Sequence, residues 1–336
     1  MKRTAKLALR KGQRAAKGAP RPPRFSNLCA LGVFVVYVIL LGACGPLGAG
    51  PGPPPTPTPP LMPYDNTVVT AVASGDRQAQ AAAYYERANA QFDQGAYAEA
   101  IADYDRALAL DPTNSRAFNN RALAHAALGQ VDQARADYAA AIRLDPNYVR
   151  AYQNRLALLE QQGDLRALAA DYEQLARLDP AHRADYLYAR GNALQALRDL
   201  AAARQAYDAA LAADPQHVDA LYERALVSFA QGQVAAAIAD LDAALRLSPR
   251  AANAYYARGL AYSAAGDPTR AIADFTQALA LQPGYAEALL GRAAAYHAVG
   301  NDALARADLD ALAAMALDDA LKVALDALRQ EVDNTQ

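Results

Sequence analysis

Pro112, Pro146, Pro180, Pro215, Pro249 and Pro283 follow one another at intervals of 34, 34, 35, 34 and 34 residues. A period of this length marks a solenoid, in which each unit buries its apolar face against its neighbours. Between these prolines each unit carries two helical patterns, as in AAYYERANAQFDQG followed by AYAEAIADYDRALALDP. In the second segment apolar residues recur near i, i+3 and i+4. Glycine and the Asp-Pro pair then supply the stops that end each helix.

The units closely resemble the tetratricopeptide repeat. In that family's 34-residue pattern, helix A carries a bulky residue at position 4, a small one at 8 and a bulky one at 11. Helix B carries Ala at 20, a bulky residue at 24, Ala at 27 and Pro at 32. The first unit supplies Tyr84, Ala88, Ala100, Tyr104, Ala107 and Pro112. The sixth supplies Tyr255, Gly259, Tyr262, Ala271, Phe275, Ala278 and Pro283. The resemblance covers nearly three quarters of the chain. It implies an all-α fold, a right-handed α-solenoid of seven tetratricopeptide helix-turn-helix repeats plus a C-terminal capping helix. The repeats fall at 81–114, 115–148, 149–183, 184–217, 218–251, 252–285 and 286–319, with Leu317 in place of the seventh proline. Residues 320–332 form the capping helix, with Leu321, Val323, Leu325 and Leu328 available to close the core.

Position 7, commonly apolar in the family, is arginine in every unit: Arg87, Arg121, Arg155, Arg190, Arg224, Arg258 and Arg292. Six units also carry aspartate at position 23, namely Asp103, Asp137, Asp171, Asp240, Asp274 and Asp308. A partly buried cation needs a paired anion, so the series reads as a structural Arg and Asp pair between packed helices rather than a binding stripe. For Arg258 the expected partner is Asp274 or the neighbouring unit's Asp240. The fourth unit breaks the rule, with Ala206 where aspartate is expected and Arg198 where the turn glycine falls. Its extra residue lies between Pro180 and Arg190, at the entry to helix A, where a bend in the superhelix would fall.

The segment ahead of the repeats has a different character. Residues 1–27 hold nine Lys or Arg and no acidic residue, and the apolar run Leu28 to Ala43 follows directly. A basic leader, a short hydrophobic run and small residues form a secretory signal. The stretch LGAC at 41–44 resembles the lipobox of bacterial lipoproteins. That resemblance implies cleavage of residues 1–43, lipidation at Cys44 and a membrane partnership through the lipid anchor. An uncleaved signal anchor over 28–44 is the alternative. Both place the later residues outside the cytoplasm, because the positive flank stays inside. Cys29 leaves with the signal, so nothing after Cys44 can form a disulfide. From Gly45 to Pro63 nine of 19 residues are proline, a semi-rigid spacer expected to continue as linker over 44–80.

Charge narrows the function classes. Nine of the 33 basic residues precede Cys44 and none of the 35 acidic ones does, which leaves 24 against 35 and a balance near −11. That sign argues against a nucleic-acid partner. The four histidines, His125, His182, His217 and His297, show no metal-ligand spacing, and no glycine-rich phosphate loop is present. No catalytic constellation, cofactor or small-molecule substrate is expected.

Function then sits on a surface. The family resemblance assigns helix A positions 2, 5, 9 and 12 to a concave groove that holds a peptide of a protein partner. These positions include Tyr85, Asn89, Phe92, Arg116, Asn119, Leu123, Arg150, Gln153 and Glu160, then Tyr188, Asn192, Tyr222, Phe229 and Tyr256. Some family members grip a C-terminal carboxylate there. This chain matches that clamp at Asn89, Asn120 and Arg150 and departs from it at Tyr85 and Asn154. The expected function is a non-catalytic, membrane-anchored extracytoplasmic scaffold, by analogy an adaptor for envelope, secretion or pilus-type assembly. A structural spacer or self-assembling module without a specific ligand is the alternative.

Overall fold

The computed structural model describes residues 63–334, so the signal segment, Cys44 and most of the proline-rich tract lie outside the described residues. Those described form helices joined by short turns, with no strand among them. Helix α1 (Pro63–Ser74) occupies part of the stretch expected to be linker. Its Val68 and Ala71 are buried with Ala83 and against Tyr84 of the next helix, and Asp65 pairs with Arg87 at 2.9 Å. The helix thus stands where a preceding unit's helix B would be. Its apolar pattern is too short to show in the sequence.

The seven units follow as helix pairs: α2 (Arg77–Asp93) with α3 (Tyr97–Leu110), α4 (Ser115–Ala127) with α5 (Val131–Leu144), and α6 (Val149–Gln162) with α7 (Leu165–Leu178). Then come α8 (Arg183–Ala196) with α9 (Leu200–Ala213), α10 (Val218–Ala230) with α11 (Val234–Leu247), α12 (Ala252–Ala264) with α13 (Pro268–Leu281), and α14 (Ala286–Ala298) with α15 (Asp302–Ala313). In six units the turn between helices places a glycine in the left-handed region, for example Gly266 at φ +80°. In the fourth, Arg198 is forced to φ +64°, a conformation that costs an L-residue about 1 kcal/mol.

Packing within a unit follows the small-against-large rule. Tyr104, Tyr138, Tyr207 and Phe275 of the second helices are fully buried, and Ala88, Ala122, Gly191 and Gly259 of the first helices make room for them. A Cβ on Gly259 would stand 2.7 Å from the Phe275 ring, and one on Gly291 of the next unit 2.8 Å from its other side. The ring therefore fills a slot shared by two units. The third unit departs from this rule with Leu156 in the small position, and Tyr172 is only partly buried. Helices α6 and α7 accordingly make the sparsest contact of any unit's pair, while α7 packs closely onto α8 of the next. The extra residue between these units is absorbed in a short 3-10 turn over Pro180–His182.

The arginine series joins units. Arg258 donates from Nε and Nη2 to Asp274 at 2.7 Å each and from Nη1 to Asp242 of the preceding unit at 2.6 Å. The neighbour reached is thus Asp242, because Asp240 is already held by Arg224 at 2.8 and 2.6 Å. The same two-pronged bond recurs at Arg87, Arg121, Arg155 and Arg292. All six aspartates are buried. Such forked pairs fix geometry as well as satisfy charge. Arg190 faces Ala206 instead, reaches only Glu173 at 3.2 Å, and keeps a buried Nε without a partner.

Helix α16 (Asp319–Asp333) closes the C-terminal end with Leu325, Leu328 and Val332 buried. Arg306 bonds Asp333 and the Val332 carbonyl at 3.1 Å each, and Arg329 pairs with Asp310 at 2.6 Å. Val323, expected to pack, is 67% exposed because it lies on the outer side of the helix.

Candidate partner-binding face

Helix A of every unit brings its positions 2, 5 and 9 to one side of the solenoid, and the chemistry there changes along the chain. In the first three units the amides bond one another. The Asn89 side-chain oxygen accepts from the Tyr104 hydroxyl at 2.7 Å and from Asn120 Nδ2 at 3.0 Å. Asn120 Nδ2 also reaches the Tyr85 hydroxyl at 3.2 Å. Asn119 Nδ2 donates to Asn120 Oδ1, and Asn154 Nδ2 donates to Asn119 Oδ1, both at 3.0 Å. Gln153 continues the series by donating to the Tyr186 hydroxyl at 2.9 Å. Asn119 is fully buried, so it is a link in this ladder and not the exposed groove residue expected. A buried amide is stable only when its donors and acceptors are met, and a neighbouring amide does that here. Asn89 and Asn120, which match the clamp, are likewise engaged with one another, and Asn154, which departs from it, holds Asn119.

Arg116 and Arg150 are exposed beside this ladder. Both act on the half-buried Tyr148, whose hydroxyl burial raises above its ordinary range while the two arginines oppose the shift. Phe92 packs edge-on against Tyr97, with ring centres 5.3 Å apart.

At position 5 of the fourth, fifth and sixth units a tyrosine ring stands where the second and third units carry an amide. Tyr188 lies on Tyr207 at 6.1 Å and on His217 at 4.9 Å, and Asn192 accepts from the Tyr207 hydroxyl at 2.7 Å. Tyr222 and Phe229 pack partly buried against the core of the fifth and sixth units. Tyr256 lies between Phe275 at 5.9 Å and Tyr285 at 4.9 Å and is only 6% exposed. It was expected on the open groove wall, yet its ring is core. The cause is Tyr285, which covers it from the end of the same unit. The Tyr256 hydroxyl has no hydrogen-bond partner among the described residues. Burial first, then Glu287 and Tyr222, raise its pKa, and Tyr285 is raised by burial, Tyr256, Tyr222 and Glu287. These four groups therefore form one cluster.

Position 2 shows the same division in charge. It is Arg116 and Arg150 in the second and third units, then Asp185, Asp219, Asn253 and Glu287. His217 bonds Asp185 at 3.3 Å, so part of this acidic series is already engaged. Tyr148, His217 and Tyr285 were missed in the sequence because they close their units after the proline. Their common place, the last residue of the unit, was the signal that could have found them. Among the described residues no group of three or more His, Cys, Asp or Glu is placed to hold a metal ion, and no helix is long and apolar enough to cross a membrane.

Family models support the repeat. A TPR repeat model matches residues 88–129, and tetratricopeptide repeat models match 115–148, 188–252 and 252–285. Among solved structures, the C-terminal part of a TPR repeat-containing protein from Cytophaga hutchinsonii is similar at a TM-score of 0.55 and 18% identity, covering 72% of this chain and 99% of that one. YrrB, described as a TPR protein with an unusual peptide-binding site, aligns at a TM-score of 0.47 and 19% identity over 55% of this chain and 95% of that one. MamA from Desulfovibrio magneticus RS-1 aligns at 0.45 and 25% identity over 49% and 92%. No curated protein matches by sequence. The models thus identify tetratricopeptide repeats within 88–148 and 188–285, and the Cytophaga likeness shows the same all-α solenoid fold for the helix pairs around them.

Proposed function

We propose that the chain is a non-catalytic scaffold that binds an extended segment of a partner protein along its concave face. The observation that carries this reading is the continuity of side chains on that face. Exposed Arg116 and Arg150 at position 2 of the second and third units, and half-buried Tyr188 and Tyr222 at position 5 of the fourth and fifth, put one such side chain on that face in each of four consecutive units. An extended or helical peptide presents side chains at regular intervals, and tyrosines offer large contact area at small entropic cost. The arginine series does not compete as a binding surface, since six of its seven side chains are spent on buried carboxylates.

The same proposal includes display outside the cytoplasm on a lipid attached to Cys44, in an envelope, secretion or pilus-type assembly. Its support is the LGAC stretch behind a basic leader and an apolar run. Replacement of Cys44 by Ala should abolish incorporation of a clickable fatty acid, and a wild-type protein retaining residues 1–43 would rule out this anchor. For the groove, selection of a random dodecapeptide phage library on the full-length chain in detergent should recover binders. Tyr222→Ala should weaken them at least tenfold, equivalent to about 1.4 kcal/mol. Glu99→Lys, on the other helix of the first unit, should not. Recovery of no binder would favour a spacer.

A further inference from the structure

We propose that the concave face of the last three units, at Tyr222, Tyr256, Tyr285 and Glu287, takes a lysine or arginine side chain from the partner segment. This rests on the groove-binding reading and adds to it the charge of the ligand.

Three independent observations converge there. The first is the orphan hydroxyl. Tyr256 is 6% exposed and its oxygen has no partner among the described residues. A buried hydroxyl without a hydrogen bond is costly, and most native ones are met by protein, water or ligand. At the same repeat position, the Tyr85 hydroxyl is met by Asn120 Nδ2 of the following unit at 3.2 Å. The residue at the place of Asn120 in the unit after Tyr256 is Gly291, which has no side chain to offer. The missing bond thus comes from a specific exchange on helix α14.

The second is charge. Position 2 changes sign along the face, from Arg116 and Arg150 to Asp185, Asp219 and Glu287. Glu287 is partly exposed and makes no ion pair among the described residues. Its charge nevertheless acts on both Tyr256 and Tyr285. The third is the rings themselves. Tyr256 and Tyr285 meet at 4.9 Å with Tyr222 near by, so π faces and a carboxylate occur together. Ring faces attract cations, arginine above all, and a neighbouring carboxylate adds charge neutralisation. An ammonium or guanidinium group has only donors to offer, and the Tyr256 oxygen beneath Tyr285 is an acceptor left unmet by the described residues. An acidic segment would meet Glu287 and Asp219 in repulsion.

The test is the composition and affinity of dodecapeptides selected on the full-length chain in detergent. The recovered peptides should be enriched in Lys and Arg over the unselected library. With a fluorescein-labelled copy of the most enriched peptide, Glu287→Lys should weaken binding at least tenfold and Glu287→Gln at least threefold. Tyr256→Phe removes only the hydroxyl. It should weaken binding at least threefold while the melting temperature stays level or rises, an outcome that a purely structural hydroxyl would not give. Peptides without excess Lys or Arg, or binding unchanged by Glu287→Lys and Tyr256→Phe, would overturn the inference and leave groove binding intact. Recovery of no peptide at all would remove the groove-binding reading, and this inference with it.

Discussion

In the first three units the concave side chains are bonded to one another, Asn89 to Asn120, Asn120 to Asn119 and Asn119 to Asn154, with arginines outside them. In the last three the same positions hold packed tyrosines, an acidic residue and a hydroxyl with nothing to bond. One repeat geometry therefore carries two chemistries. A satisfied polar ladder fixes register between units and leaves little to offer a ligand. An aromatic wall with an unmet acceptor beneath it has interaction capacity to spare. The boundary between the halves is the junction of units three and four, where Leu156 widens one unit, Pro180–His182 adds a turn and Arg190 lacks its aspartate.

The largest expected effect is on stability. Tyr256→Ala removes a buried ring and should cost about 3–5 kcal/mol, by analogy with buried aromatic truncations. Tyr85→Ala, at the same repeat position but partly exposed, should cost about half as much. Equal losses in urea unfolding would erase the distinction drawn between the two halves. Next comes the arginine series. Arg258→Ala strands the buried carboxylate of Asp274 and should cost about 3 kcal/mol. Arg190→Ala loses only an exposed partner and should cost under about 1 kcal/mol.

Two substitutions repair the junction and should have smaller, favourable effects. Ala206→Asp would give Arg190 the forked partner present in the other six units, a gain of about 1–2 kcal/mol. A loss would show that α8 and α9 are not spaced like their counterparts. Arg198→Gly relieves the left-handed backbone and should gain about 0.5–1 kcal/mol in the same assay.

Much of the fold was legible because the repeat states each rule at least six times. The prolines marked the units, the glycines marked the turns, and the arginine and aspartate pairs announced a buried bond before any coordinate did. What escaped were features that occur once. Helix α1 has only Val68 and Ala71 to bury, too little pattern to read as helix beside a proline tract. The partner of Arg258 in the preceding unit was misplaced by two residues because helix periodicity alone does not say which carboxylate a guanidinium reaches across a seam. The site was less legible. Whether a position 5 residue is open or covered depends on the residue that ends a unit, and Tyr285 over Tyr256 shows how one ring converts groove into core. Asn119 is buried for a similar reason, since Asn154 of the next unit closes over it.

Hydrogen exchange on the full-length chain, with and without the most enriched library peptide, tests the division of the face most directly. Added protection should appear in α10, α12 and α14, whose first turns carry Tyr222, Tyr256 and Glu287, and leave α4 and α6 at their unliganded rates. Protection confined to α4 and α6, around Arg116 and Arg150, would contradict it.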